Sequence, residues 1–263
     1  MSELEDFSRT SFASHHKIRD VYRTGSGPAV VVISELPGIT PKVAEFGRRV
    51  AALGCTAWLP NLFGEPGKEP SGTYIVRSLV PACVSSEFAT LATGRASPVT
   101  VWLRALAKRA HEECGGPGVG VVGMCFTGGF ALAMMVDDVV VAPVLSQPSL
   151  PFAIGAARRR DLGISDEDLA RVKARCGEEP NLCVLGLRFT GDRAVPAERF
   201  ARLREELGDR FVAVELDSSP GNAHGHPRAA HSVLTEHLQD RDGTPTHDAL
   251  DQVLDFLRTR LVA

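Results

Sequence analysis

The stretch from Val119 to Phe130, VGVVGMCFTGGF, constrains this chain more than any other. It opens as an apolar run rich in valine and leads into residues that suit a helix, Phe130-Ala131-Leu132-Ala133-Met134-Met135. Between them stands Cys125, with Gly123 two residues before it, Thr127 two residues after it, and then Gly128 and Gly129. A strand that turns at once into a helix through one strained residue needs small neighbours at those positions, because larger side chains would meet across the turn. The residue at the apex is pushed clear of the backbone, and the N–H after it points at whatever reacts there. The stretch therefore predicts a strand, a sharp turn and a helix, with Cys125 presented as a nucleophile. The competing reading is a buried, inert cysteine at an ordinary strand–helix junction.

The rest of the chain reads as strands alternating with helices. Ala29 to Ser34 is a continuous apolar run of the kind buried on both faces of a parallel sheet. Thr40-Pro41 then opens a helix to Ala52, with Gly54 as its stop. Strands are expected at 15–24 (an edge), 55–60, 139–144, 182–189 and 211–216. Further helices are expected from Ser97-Pro98, from Ser165, over 197–207, and from Thr244-Pro245, where Leu250, Val253, Leu254, Leu257 and Leu261 share a face. Residues 61–96 are less regular, with one possible helix over 77–91, and either connect or cover a site. This alternation predicts an α/β fold with a mostly parallel central sheet flanked by helices on both faces. The length, 263 residues, suits one domain over residues 1–263.

Composition excludes several classes. A formal net charge of −3 leaves no basic footprint, so no nucleic-acid partner is expected. No apolar run is long enough to span a bilayer, so no membrane role is expected. The acidic start of the chain carries no secretory signal, which points to the cytoplasm. Cys55, Cys83, Cys114, Cys125, Cys176 and Cys183 form no CxxC pair or zinc-like spacing, so no metal and no cofactor are expected. The first strand runs into Glu35-Leu36-Pro37-Gly38 without a GxGxxG fingerprint, which disfavours a nucleotide-binding fold.

Ligands of such sheets bind beyond the carboxyl ends of the strands. Glu35, Cys125, Asp192 and His224 each follow a separate predicted strand, in an order that gives nucleophile, acid and histidine. The pattern resembles the dienelactone hydrolase family, the cysteine-nucleophile branch of the α/β-hydrolase fold, over roughly residues 30–228. The family's Gly-x-Cys-x-Gly-Gly elbow corresponds to Gly123-Met124-Cys125-Phe126-Thr127-Gly128-Gly129, with Thr127 standing where glycine is usual. Gly191-Asp192-Arg193-Ala194-Val195-Pro196 matches its acid turn, and Glu35-Leu36-Pro37-Gly38 its Glu-x-x-Gly. Ala223-His224-Gly225-His226 keeps a histidine but lacks the family's preceding glycine and following aromatic.

The resemblance implies hydrolysis of a small ester or lactone through a thioester on Cys125. His224 would be the base, with His226 the alternative, and Asp192 would orient the imidazole. His231 is expected to lie where a helix resumes and to cap it or sit at the surface. The resemblance also implies that Glu35 contacts the thiol. The oxyanion would lie between the amides of Leu36 and Phe126, since Pro37 has no N–H. Arg228, four residues after His224, would hold a substrate carboxylate, for which a planar guanidinium is suited. A broader carboxylesterase or thioesterase, or a ligand-binding protein that has lost its chemistry, are the rival readings. The oligomeric state is not legible.

Overall fold

The computed structural model describes residues 4–74, 97–150 and 152–262, so the possible helix over 77–91 and Cys83 lie outside the described residues. Among the described residues eight strands form one sheet: β1 (Ser8–Ser14), β2 (Lys17–Gly25), β3 (Ala29–Ile33), β4 (Thr56–Pro60), β5 (Val119–Met124), β6 (Val140–Ser146), β7 (Val184–Phe189) and β8 (Phe211–Leu216). Their order across the sheet is β1-β2-β4-β3-β5-β6-β7-β8. β2 is antiparallel to both β1 and β4, and every later pairing is parallel.

The helices, in chain order, are α1 (Pro41–Ala52), α2 (Pro98–Cys114), α3 (Gly128–Met134), α4 (Gly155–Arg160), α5 (Asp166–Glu178), α6 (Ala197–Leu207) and α7 (Pro245–Leu261). They cover both faces of the sheet. In β3, Val31 and Ile33 join one apolar cluster with residues of α2, α3, α5 and α6, while Val30 and Val32 join a second with α1 and α7. That alternation is why the β3 run is apolar at every position: each side of the pleat meets a helix layer. The helix starts follow their caps. Thr40 accepts from the Val43 amide, Ser97 from Thr100, and Ser165 from Asp168. The expected face of α7 is buried at Leu250, Val253, Leu257 and Leu261, with Leu254 only partly covered. No described helix is long and apolar enough to cross a membrane.

Two departures matter. The edge is a hairpin, with β1 turned into β2 through His15 and His16, whose φ values are 48° and 61°. Two consecutive positive φ values are what a tight hairpin of matching twist requires, and histidine is an unusual occupant, so the sequence does not announce it. The second departure is at residues 231–240, where no helix resumes. The amides of His231 and Ser232 are instead taken by the ring Nδ1 of His237, at 3.3 and 3.2 Å. With those donors satisfied by a side chain, the chain stays irregular until Thr244-Pro245 opens α7. The carboxyl ends of β3, β5, β6, β7 and β8 lead to one edge of the sheet, and their loops carry the polar residues described next.

Candidate active site

Cys125 follows β5 directly and has a φ of 54°. Left-handed backbone at a non-glycine residue is costly and is held in place by its surroundings. The surroundings here are small. A Cβ on Gly123 would lie 2.5 Å from the Thr127 carbonyl oxygen, and one on Gly128 would lie 2.6 Å from Cα of Pro148. Thr127 does more than fit. Its buried hydroxyl accepts from the Met124 amide at 3.0 Å and donates to the Ile33 carbonyl at 2.9 Å, tying the turn to the end of β3. A glycine at this position would lack that tie. Thr127→Val keeps the shape and orphans the Met124 amide, so urea unfolding is expected to show a loss of about 1–3 kcal/mol; an unchanged midpoint would mean the hydroxyl contributes nothing.

Asp192 is buried in the turn after β7, where Oδ1 accepts from the Ala194 amide at 2.9 Å. Arg188, buried on β7, braces the same turn, donating to the carbonyls of Val195 and Thr190 at 3.0 and 3.1 Å and pairing with Glu215. The other carboxylate oxygen, Oδ2, lies 2.6 Å from Nδ1 of His231. Cys125 interacts with the same imidazole and favours its protonated form. Burial acts against a charge on this ring, but its interactions with Asp192 and Cys125 outweigh it and hold the pKa up at about 11.

The histidine that the structure brings to Asp192 is therefore His231, where His224 was expected. After β8 the chain folds into a turn closed on itself: the Asn222 side chain donates to the carbonyls of Ser219 and His226 and accepts from the His226 amide. His224 sits exposed on this turn, its carbonyl held by Gln239. His226, the alternative, is buried with its ring 5.0 Å from that of Phe189, and burial lowers its pKa. The chain then passes against Gly191, where a Cβ would lie 2.5 Å from the Arg228 carbonyl oxygen. Glycine before Asp192 is what lets this backbone come close enough to deliver His231 to the carboxylate. The small pair Ala229-Ala230 just before it is the one local signal that could have pointed there.

One further expectation is corrected. Glu35 does not hydrogen-bond the thiol. Its buried carboxyl takes Ser232 Oγ at 2.5 Å, the Thr235 hydroxyl, and Gln147 Nε2 at 3.4 Å, so donors next to His231 and after β6 claim it. Burial pushes its pKa up, against the pull of the two hydroxyls. Arg228 is not four residues past the site's histidine; that place belongs to Thr235. Arg228 instead lines a cleft of about 300 Å³ with Gly191, Asp192, Arg193, Ala194 and Ala229, and neither it nor Arg193 has an ion-pair partner among the described residues. Phe126 follows Cys125 at the elbow, and Leu36 follows Glu35 in the loop after β3. The Leu36 amide donates to no described acceptor, and Phe126 packs edge-on against Phe63 and Phe152, at 5.8 and 6.3 Å between centroids. A larger cleft, about 760 Å³, opens at the amino ends of the strands around Leu182, Cys183 and Arg260, away from Cys125.

The strand order and the line-up of Cys125, His231 and Asp192 at the carboxyl edge are those of the α/β-hydrolase fold. The profile of the dienelactone hydrolase family matches residues 20–261, and the chain belongs to that family of hydrolases. Solved structures agree on the fold. One assigned as a dienelactone hydrolase from Klebsiella pneumoniae subsp. pneumoniae is 19% identical, with a TM-score of 0.62 and coverage of 95% of this chain and 97% of that one. A dienelactone hydrolase-like promiscuous phosphotriesterase from metagenomic libraries is 16% identical, with a TM-score of 0.60 and coverage of 97% and 98%. A cold-adapted esterase from an Arctic intertidal metagenomic library is 15% identical, with a TM-score of 0.56 and coverage of 96% and 92%. A search of curated protein sequences finds no match.

Proposed function

We propose that the protein hydrolyses small carboxylic esters or lactones through a triad of Cys125, His231 and Asp192. The observation that carries this reading is the hydrogen bond between Asp192 and His231, with the same imidazole interacting with Cys125 at its strained apex. With its proton on His231, the sulfur is a thiolate and attacks the ester carbonyl. The oxyanion is met by the amides of Phe126 and Leu36. Collapse breaks the carbon–oxygen bond, and the leaving alkoxide takes the proton from His231, leaving a thioester on Cys125. Acylation removes the sulfur's charge, one of the two supports of the high pKa of His231. The neutral ring can then take a proton from water, whose oxygen attacks the thioester and releases the acid and the thiolate. Asp192 keeps the ring oriented throughout. The free guanidiniums of Arg193 and Arg228 favour a substrate with an anionic group, while Phe63, Phe126 and Phe152 offer an apolar wall beside the nucleophile.

The test is a panel of lactone carboxylates, neutral aryl esters and thioesters, with acid quenching and mass spectrometry of the protein during turnover. The expected result is hydrolysis with an acyl adduct on the Cys125 peptide. Turnover without any adduct would remove the covalent mechanism, and no turnover on any member would favour the ligand-binding reading. A preference for anionic lactones that Arg228→Ala abolishes would assign the anion to that cleft.

A further inference from the structure

The loop after β6 is built more rigidly than a connection needs. Gln147 is fully buried and adopts a φ of 37°, a second left-handed non-glycine residue at this edge of the sheet. Such strain persists only where the surroundings over-determine it, and it gathers at functional sites. The surroundings here are explicit. The Gln147 amide donates to the Leu187 carbonyl at 2.8 Å, and its side chain accepts from the Val233 amide at 3.3 Å and reaches Glu35. Pro148 fills the space that Gly128 leaves open, and its carbonyl accepts from the buried guanidinium of Arg199 at 2.7 Å. Arg199 also takes the carbonyls of Asp161 and Arg158, so it pins both ends of the following segment.

All of this delivers one group. Ser149 is buried, its amide donates to the carbonyl of Cys125 at 3.0 Å, and its Oγ lies 3.6 Å from the Cys125 sulfur. That sulfur is the hydroxyl's one hydrogen-bond partner among the described residues. A neutral thiol is a weak acceptor, whereas a thiolate accepts strongly.

We propose that Ser149 is a further catalytic residue, whose hydroxyl donates to the Cys125 thiolate and holds it ionised and in place between turnovers. This rests on the reading of Cys125 as the nucleophile. The thiolate then has two donors, Ser149 and the imidazolium of His231 backed by Asp192. The other charged groups packed around the loop are turned elsewhere: Glu35 to Ser232 and Thr235, Arg199 to backbone carbonyls. Once the sulfur is acylated it loses its charge and the bond weakens, so the effect belongs to the free enzyme.

The experiment is alkylation of the full-length protein by iodoacetamide across pH, with Cys125 followed by peptide mass spectrometry, in wild type and Ser149→Ala. The expected result is that the pH of half-maximal alkylation rises by about one unit in the variant, the tenfold worth of one hydrogen bond to a charged group. The high-pH plateau, where every thiol is ionised, is expected to stay unchanged and reports that the pocket is intact. An unmoved half-maximal pH overturns the proposal, and so does an equal loss at all pH values, which would make Ser149 a packing residue. The two readings fail separately. If wild-type Cys125 is no more reactive than Cys114 or Cys183, the nucleophile itself is lost; if it is hyper-reactive in both proteins alike, only Ser149 is.

Discussion

His231→Ala is expected to lower kcat/KM by about 10²–10⁴-fold, the range for a positioned acid–base group, while His224→Ala stays close to wild type. The difference follows from where the two rings lie: one is hydrogen-bonded to Asp192 and interacts with Cys125, the other is exposed on a turn that Asn222 closes upon itself. His226→Ala is expected to cost stability rather than chemistry, because its ring is packed on Phe189. The protonation of His231 gives a second readout of the same residue. Burial opposes its charge, yet the interactions with Asp192 and Cys125 raise its pKa from 6.5 to about 11. A folded-state pKa above the unfolded one contributes stability that is fully present below about pH 6.5 and is lost as pH rises toward about 11. Denaturation at a series of pH values is expected to show stability declining through that window in wild type, and a flatter profile in His231→Ala. If activity falls with His224→Ala and survives His231→Ala, the assignment reverts to the earlier histidine.

The reason His231 escapes a reading of the sequence is physical. Cys125 is legible because part of its constraint is local: Gly123 is held small by Thr127 and Gly128, within one turn of chain. Asp192 is legible for the same reason, since its glycine, its own carboxylate and Val195-Pro196 are consecutive. The runs at β3 and β5 are legible from burial alone. The loop after β8 has no period to read. Its path is set by Asn222 bonding to residues on either side of it, by Gly191 yielding space to a backbone far along the chain, and by the His237 ring replacing helical acceptors. The Gly191 approach is long-range, and the side-chain bonds of Asn222 and His237, though short in sequence, follow no periodic pattern. A count from His224 does not place Arg228; its position in the cleft beside Asp192 does.

The same reasoning explains Glu35. The motif around it is recognisable, and the structure puts it beside the site, but motif spacing says nothing of which donors its carboxyl will meet. Ser232 and Thr235 arrive with the loop that carries His231, so the placement of the histidine and the capture of Glu35 are one event. Gln147 joins the two from the β6 side. The result is a buried polar network in which the carboxyl holds the histidine's loop, a role that position along the chain could not distinguish from contact with the sulfur.

Removing the nucleophile separates chemistry from strain. Cys125→Ala is expected to lower hydrolysis by at least about a thousandfold, since no other group among those described stands at the apex to accept the acyl group. Cys125→Gly should be equally inactive, because it too lacks sulfur. Their stabilities should differ. At a φ of 54° alanine retains the clash between Cβ and the following carbonyl that glycine escapes, a cost of about 1–2 kcal/mol. Glycine gives back about 0.5–1 kcal/mol through the entropy of its unfolded chain. The glycine variant is therefore expected to unfold at higher urea than the alanine variant, by about 0.5–1 kcal/mol. Two inactive variants with that order of stability would show that the fold stores strain at this residue for the sake of presenting a sulfur. The reverse order would mean that Gly123, Thr127 and Gly128 let the apex relax, and that the exposed thiol is a consequence of the turn rather than something the turn is strained to supply.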